Sequence, residues 1–344
     1  MISISFREAL NQALHAEMLQ DSDVFVFGLD VDDHKSIFGS TKDLLVRFGK
    51  ERIFGTPLSE EAMTGFAIGA AIRGKKAVHV HIRADFALLA MNQIINLASN
   101  IHYLSAGKLN VPVTIRMVIG RGWGQGMQHS KSLHSVFAHF PGLKVLMPST
   151  PQEAYTLLRS AIQDPNPVIF VEHRWLYDVE GPVDFEKRLI KSANQIATGD
   201  NLTIVSTSWM SVEALKANEV LKTVGIRADI FNISQISDLD LTDVYNSVKK
   251  TKHCIVIDHD WREFGFASEV SSKVHENNFS DLEKLVRRIG FARFPCPTAR
   301  PLENKFYPKA QNLIEAACLL HNKSLPDLAQ YEFYSYENKF KGPF

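Results

Sequence analysis

The amino-acid sequence predicts an α/β protein of two domains, each with a mostly parallel sheet flanked by helices. The chain has 344 residues, which is enough for two domains of ordinary size. Short runs of β-branched and aromatic residues alternate with longer amphipathic segments, which is typical of parallel α/β units with right-handed crossovers. Residues 174–199 interrupt this alternation with Gly181, Pro182 and mixed charges, which indicates a linker.

The first half begins with a helix over residues 5–20, because Ser5 and Glu8 form a capping-box pattern and apolar residues follow at helical spacing. Its predicted strands are residues 24–28, 52–54, 77–82, 111–119, 143–147 and 168–172. Its other predicted helices are residues 41–49, 60–73 and 86–103, and one that starts at Thr150.

The second half repeats the alternation after the linker. Its predicted strands are residues 202–207, 226–231 and 254–258, and its predicted helices are residues 210–224, 241–250, 266–275 and 312–322. We therefore expect a first domain over residues 1–180, a linker over 181–199, a second domain over 200–325 and a tail over 326–344.

The composition excludes several classes of protein. Lys plus Arg and Asp plus Glu both number 38, so no net charge attracts the chain to nucleic acid or to anionic lipid. The three cysteines form no CxxC pair, so we expect neither a disulfide framework nor a thiolate zinc site. With no signal-peptide pattern and no long apolar run, we expect a cytoplasmic protein that neither crosses nor binds a membrane.

A pair of carboxylates follows the second predicted strand, in the segment Thr56-Pro-Leu-Ser-Glu-Glu61. Ser59 can cap the next helix, and Glu60 and Glu61 can simply interact with its dipole. Alternatively, Gly65 and Gly69 let this helix pack closely and bury its first turn, where a carboxylate with a raised pKa could exchange a proton with a ligand.

A glycine-rich segment follows the strand that ends near residue 119. It lets the backbone approach a ligand closely, and His129 at its end could relay a proton, although a surface or core histidine is the simpler interpretation. Arg121 in this segment could clamp an anionic substrate, and Arg83 is the second candidate for the same role. Asp30 is a further candidate ligand, although acids at a loop are more often plain capping groups.

Ordered motifs along nearly the whole chain resemble the β subunit of the thiamine-diphosphate-dependent E1 component of 2-oxo acid dehydrogenases, the family of the pyruvate, branched-chain and acetoin complexes. The matching segments are residues 28–44, 56–60, 84–96, 128–132, 141–154 and 161–172, and then Arg300-Pro-Leu-Glu303 and Phe306-Tyr-Pro308. The resemblance implies a pyrimidine-binding domain followed by a transketolase C-terminal-like domain.

The resemblance also implies roles for single residues. Glu60 would bind N1′ of the aminopyrimidine ring of thiamine diphosphate, Phe86 would stack on that ring, and His129 would face the substrate. Asp30 remains a candidate cofactor contact. Positions that hold a structural potassium ion in some members correspond to the carbonyls of Val113, Ala161, Ile162 and Asp164, and to Asn166.

Family members hold the diphosphate and Mg²⁺ with a Gly-Asp-Gly segment, and this chain contains none. The resemblance therefore implies an α subunit that supplies this half of the site in a heterotetramer of two α and two β chains. The implied reaction is decarboxylation of a pyruvate-like 2-oxo acid and acyl transfer to lipoamide on an E2 partner. The alternatives are the β-like half of a split transketolase or carboligase, and a non-catalytic scaffold.

Overall fold

The computed structural model describes residues 1–120, 125–188 and 190–333. They divide into two compact units, of which the first contains Met1–Gly120, residues 131–188 and 190–191, and Ser234–Leu239. The second contains residues 125–130, Ser192–Ile233 and residues 240–333. Within these described ranges, no helix is both long enough and apolar enough to cross a bilayer.

The first unit is built on a six-stranded parallel sheet with the strand order β3-β2-β4-β5-β7-β6. Its strands are β2 (Val24–Gly28), β3 (Ile53–Gly55), β4 (Lys76–His81), β5 (Val113–Ile119), β6 (Lys144–Leu146) and β7 (Val168–His173). Before them, β1 (Ile2–Ser5) pairs antiparallel with β8 (Glu180–Val183).

The helices of the first unit cover this sheet. They are α1 (Phe6–Gln20), α2 (Leu44–Phe48), α3 (Glu60–Ile72), α4 (Ala84–Ala87), α5 (Ser99–Leu104), α6 (His134–Ala138) and α7 (Pro151–Gln163). The predicted capping box of α1 is present, since Ser5 and Glu8 bond each other's backbone N–H groups. Helix α1 packs on α7, where Arg159 Nε donates to Glu17 Oε1 at 2.5 Å.

The second unit contains a five-stranded sheet with the strand order β13-β12-β10-β11-β9, parallel except for β9. Its strands are β9 (Ala193–Ala197), β10 (Leu202–Ser206), β11 (Ala228–Ile233), β12 (Cys254–Trp261) and β13 (Arg287–Phe291). Its helices are α8 (Trp209–Thr223), α9 (Thr242–Thr251), α10 (Phe266–Asn278), α11 (Arg300–Phe306) and α12 (Ala310–Leu320). The predicted fold class of two mostly parallel α/β sheets is thus confirmed.

Two predicted helices differ from the structure. The segment 41–49 is helical only over α2, because Asp43 before it has a left-handed φ of 63°. The predicted helix 86–103 is α4, a 3₁₀ turn (Leu88–Ala90), a π-helical stretch (Asn92–Ala98) and α5 in succession. Side chains stabilise the wide π turns, since Ser99 Oγ and Asn100 Nδ2 both donate to the carbonyl of Ile95.

The stretch 174–199, expected to lack regular structure, contains the strands β8 and β9. Each completes a sheet as an antiparallel partner, β8 with β1 and β9 with β11. Such short strands carry a weak sequence pattern, because their pairing depends on a distant partner strand. For the same reason β1 and the edge strand β13 were not predicted.

A buried polar network fastens the loop after β2 to the sheet of the first unit. Arg116 on β5 is fully buried and donates to both carboxylate oxygens of Glu172 on β7, at 2.5 and 2.9 Å. The hydroxyl of Tyr177 donates to the same carboxylate at 2.6 Å, and Arg116 Nη2 reaches Ser40 Oγ at 3.0 Å. Removing one partner of the Arg116–Glu172 pair would leave a buried charge unpaired, so the pair holds Arg116 in place. Arg116 in turn holds Ser40 through its hydrogen bond.

Two buried histidines lie on one face of β4. The rings of His79 and His81 are 4.3 Å apart, and His79 also stacks on Phe27 and lies 3.3 Å from the hydroxyl of Thr64 on α3. Burial lowers the pKa of His81 to about 4 and holds the pKa of His79 well below its usual range. Both imidazoles are therefore neutral in the folded chain near pH 7.

We predict that the first unit loses stability on acidification. The unfolded chain protonates His81 near its ordinary pKa of about 6.5, whereas the folded chain does so near 4. The free energy of unfolding should therefore fall by roughly 1.4 kcal/mol per pH unit from this group within that window. Urea unfolding at several pH values should show a weaker dependence in His81→Phe, while the exposed control His34→Phe should match the wild type. An equal slope in all three proteins would contradict this account.

Candidate active site

Three candidate cofactor residues of the first unit follow the carboxyl ends of neighbouring parallel strands. Asp30 follows β2, Glu60 follows β3, and Phe86 follows β4. The glycine segment leaves the next strand, β5, at Gly120. Because β3, β2, β4 and β5 are adjacent in the sheet, these segments start from one edge, where ligands of open α/β sheets usually bind.

Glu60 is the first residue of α3 and borders a surface cavity of about 600 Å³. The lining residues are Leu58, Ser59, Glu60, Glu61, Ala62, Gly65, Leu89 and Gln93. Two expectations were wrong. Ser59 makes no capping hydrogen bond, and the first turn is not buried within this chain, where Glu60 is half-buried and Glu61 exposed.

The two adjacent carboxylates have different environments. Gln93, at the start of the π-helical stretch, donates from Nε2 to Glu61 Oε1 at 3.0 Å. Gly65 lies beside this contact, and an added Cβ there would lie 3.9 Å from Gln93 Cγ, which is an ordinary van der Waals distance. Both carboxylates line the cavity, but Glu61 is engaged by an amide, whereas the side chain of Glu60 makes no such bond among the described residues.

Phe86 lies in the short helix α4 and is 36% exposed, which is high for an aromatic side chain beside a sheet edge. Leu89, one turn further along the chain, lines the cavity that Glu60 borders. The exposed ring can therefore offer its face to a flat ligand at this edge.

Asp85, the residue before Phe86, is buried and bound to Lys131. Its Oδ1 accepts from Lys131 Nζ at 2.9 Å, and its Oδ2 accepts from the Lys131 backbone N–H at 3.3 Å. Burial raises the pKa of the Asp85 carboxyl above its usual range, and the hydrogen bond and charge of Lys131 oppose that rise.

Arg83 has a different position from the one expected for an anion clamp. Its side chain is only 3% exposed, and Nη1 donates to the carbonyl of Gly120 at 2.5 Å. A guanidinium held in this way stabilises the end of β5 and is not presented to solvent. Arg121, the preferred candidate for an anion contact, lies outside the described residues.

His129 belongs to the described part of the glycine segment that groups with the second unit. It is half-buried and ends a 3₁₀ turn (Gly126–Gln128). Gly126 has a φ of 60°, and an added Cβ would collide with the hydroxyl of Thr298, so glycine is favoured there. The turn that places His129 is thus packed within the second unit.

Asp30 is exposed and has a left-handed φ of 57°. Its neighbour Asp33 caps a turn, with Oδ1 accepting from the N–H groups of Lys35 and Ser36 at 2.8 Å. For Asp33, the plain capping interpretation of the acidic loop is therefore the one that the geometry supports.

The residues matched to a potassium site lie at the end of α7 and the start of β5. Ala161 and Ile162 occupy the last turn of α7, Asp164 caps its C-terminus, and Val113 begins β5. Asp164 pairs with Lys144 and accepts from the N–H of Asn166 at 2.9 Å. The buried Oδ1 of Asn166 has no donor within the described ranges, which fits a site for a cation.

Sequence reasoning did not assign roles to Gln93, Asp85 and Lys131. Each lies inside a motif that was recognised, two of them in residues 84–96 and Lys131 between His129 and Ser132. The sequence signal for the last two is an acid in the motif of residues 84–96 and a lysine in the motif of residues 128–132. Their pairing, however, depends on the adjacency of β4 and β5.

Comparison with known proteins agrees with this geometry. Residues 2–179 match the family model "Transketolase, pyrimidine binding domain", and residues 191–313 match "Transketolase, C-terminal domain". The β subunit of the mitochondrial pyruvate dehydrogenase E1 component of Pisum sativum is 36% identical over 94% of this chain and 92% of its own. The 2-oxoisovalerate dehydrogenase subunit beta of Bacillus subtilis is 34% identical over 92% of this chain and 98% of its own.

A solved structure shares the fold. It is described as a split gene transketolase in an inactive beta4 tetramer, and it is similar with a TM-score of 0.73 at 20% identity. The match covers 91% of this chain and 97% of the other. The solved structure shows the fold only, whereas the two family models and the curated relatives show that this chain belongs to the family of E1 β subunits of 2-oxo acid dehydrogenases, which consist of transketolase-type pyrimidine-binding and C-terminal domains.

Proposed function

We propose that the chain is the β half of a thiamine-diphosphate-dependent E1 enzyme that decarboxylates a pyruvate-like 2-oxo acid. The observation that carries the proposal is Glu60, which lies at the start of α3, at the mouth of a cavity, in a chain similar over its length to E1 β subunits. When bound, the cofactor would supply a thiazolium ring whose deprotonated carbon adds to the carbonyl and which then takes up the electron pair of the C–C bond that breaks as CO2 leaves.

Glu60 and Phe86 fit the aminopyrimidine half of this cofactor. A half-buried carboxylate can hold a proton shared with a ring nitrogen, and Glu60 is the acid of its pair that Gln93 leaves available. The partly exposed ring of Phe86 can stack on the pyrimidine face. We assign His129 to the substrate, where an imidazole can orient a carboxylate or donate a proton.

The diphosphate and Mg²⁺ would be held by another chain, because the sequence has no Gly-Asp-Gly segment. We infer an E1 α-type partner in an assembly of two α and two β chains. The first unit offers an apolar face for such a partner around the cavity, with Leu58, Phe66, Leu89 and Leu97 each more than 40% exposed. A potassium ion beside Asn166 would be structural. The cytoplasmic location of the protein remains a prediction.

The acyl acceptor distinguishes the two reactions that this site could catalyse. We propose transfer to a lipoyl group of an E2 partner, and the support for it is that both relatives are named as dehydrogenase β subunits. Transfer to an aldehyde or sugar, as in a split transketolase or carboligase, uses the same carbanion chemistry and is the alternative outcome of the test below.

We predict that this chain alone binds thiamine diphosphate weakly. The residues for the diphosphate and Mg²⁺ are missing, so titration calorimetry should detect tight, Mg²⁺-dependent binding only after an α-type chain is added. Tight binding by this chain alone would overturn the split site.

Glu60→Gln should preserve the assembly but remove the proton acceptor for N1′. Proton–deuterium exchange at the thiazolium C2 should therefore slow by at least the ~10²-fold typical of a lost general acid or base. Glu61→Gln is the matched control and should stay near the wild-type rate, because Gln93 already engages Glu61. The reverse order of the two variants would refute the assignment.

An acceptor assay should separate the two reactions. With the assembled enzyme and pyruvate, we expect a lipoyl domain to be acylated, and His129→Ala should depress this transfer more than decarboxylation followed with an artificial electron acceptor. An unmodified lipoyl domain, together with 2-oxo acid consumption that requires an added aldehyde, would instead support the carboligase.

A further inference from the structure

The turn at the entry to α4, formed by residues 83–85, contacts both ends of the segment that carries His129. This segment leaves the first unit after Gly120 and re-enters it at Lys131. Arg83 binds the carbonyl of Gly120, and Asp85 binds Lys131. The two binding residues are separated only by Ala84, and Phe86 follows directly.

The attachment at Gly120 is rigid for two reasons. Arg83 is almost fully buried, and its charged Nη1 donates to the Gly120 carbonyl at 2.5 Å. Gly120 itself has a φ of 89°, and an added Cβ would lie 2.7 Å from Cε1 of His173. No other residue type could take this conformation without displacing that imidazole.

The attachment at Lys131 uses both oxygens of one buried carboxylate. Asp85 binds the Lys131 ammonium at 2.9 Å and its backbone N–H at 3.3 Å, so it fixes the main chain as well as the side chain. The Asp85 side chain is 5% exposed, and that of Lys131 is 33% exposed. An ion pair in such a site is screened less than a surface pair.

We propose that Arg83, Asp85 and Lys131 are positioning residues that fasten both ends of the His129 segment to the turn preceding Phe86. This inference rests on the proposed function, in which His129 acts on the substrate and Phe86 on the cofactor. The turn thereby fixes where the segment begins, at Gly120, and where it ends, at Lys131, relative to α4, which carries Phe86.

The first test measures the attachment itself in the full-length chain without cofactor. Asp85→Ala removes both acceptors, so hydrogen exchange of the Lys131 amide should accelerate by about tenfold or more. Lys131→Met should have a smaller effect, because the backbone bond to Asp85 remains, and Lys131→Arg should stay close to wild type. Lys75→Met, which breaks the exposed pair with Asp23, is the control and should leave this amide unchanged. Unchanged exchange in Asp85→Ala would refute the attachment.

The second test asks whether the attachment acts through His129 in the assembled enzyme. Lys131→Met should lower kcat/KM for the 2-oxo acid by about tenfold, while C2 exchange, which depends on Glu60, should stay within about twofold. Lys131→Arg should retain most of the wild-type kcat/KM. In a double-mutant cycle with His129→Ala, the additional effect of Lys131→Met should largely disappear, because two residues that act as a unit are not additive.

The proposal would be contradicted if the effects of Lys131→Met and His129→Ala on kcat/KM multiplied in the double variant. It would also be contradicted if Lys131→Met lowered C2 exchange and turnover equally, because Lys131 would then have only a structural role. Failure of the proposed function has a different signature, since the wild-type assembly would then show neither C2 exchange nor 2-oxo acid consumption. The hydrogen-exchange test would still decide whether the turn holds Lys131.

Discussion

The parallel direction of β3, β2, β4 and β5 is the constraint on which the candidate site depends. Parallel strands end at the same edge of a sheet, so chain segments far apart in sequence start their loops side by side. Glu60, Phe86 and the exit of the His129 segment at Gly120 follow three of these strands. A single reversed strand would move one of these groups to the opposite edge.

Buried polar contacts hold the loops at this edge of the sheet in place. Arg116 and Glu172 hold Ser40 of the loop after β2, and Arg83 and Asp85 hold the two ends of the glycine segment. These contacts use charged groups with little solvent exposure, and unpairing one of them is far less favourable than losing a surface ion pair. The loops at the edge are therefore fixed by the sheet, whereas Glu60 and Phe86 remain partly open to a ligand.

Local patterns predicted the fold class and many helices and strands, because apolar periodicity and capping are properties of neighbouring residues. The capping box at Ser5 is one example, and helix α3 after Pro57 is another. Strands β8 and β9 were missed because they are stabilised by distant partners. Likewise, the motif suggests a role for the carboxylate of Glu60, which stays a prediction, but the contacts of Gln93 with Glu61 and of Asp85 with Lys131 depend on packing that no local pattern encodes.

In the proposed site, Glu60 faces the aminopyrimidine of thiamine diphosphate, and a second kind of chain completes the site. An electron cryo-microscopy structure of the co-purified assembly with thiamine diphosphate and Mg²⁺ would show this arrangement. We expect a Glu60 oxygen at about 2.6–3.2 Å from N1′, with the Phe86 ring against the same pyrimidine and the diphosphate on the partner. A pyrimidine bound away from Glu60, or a diphosphate held by this chain, would contradict it.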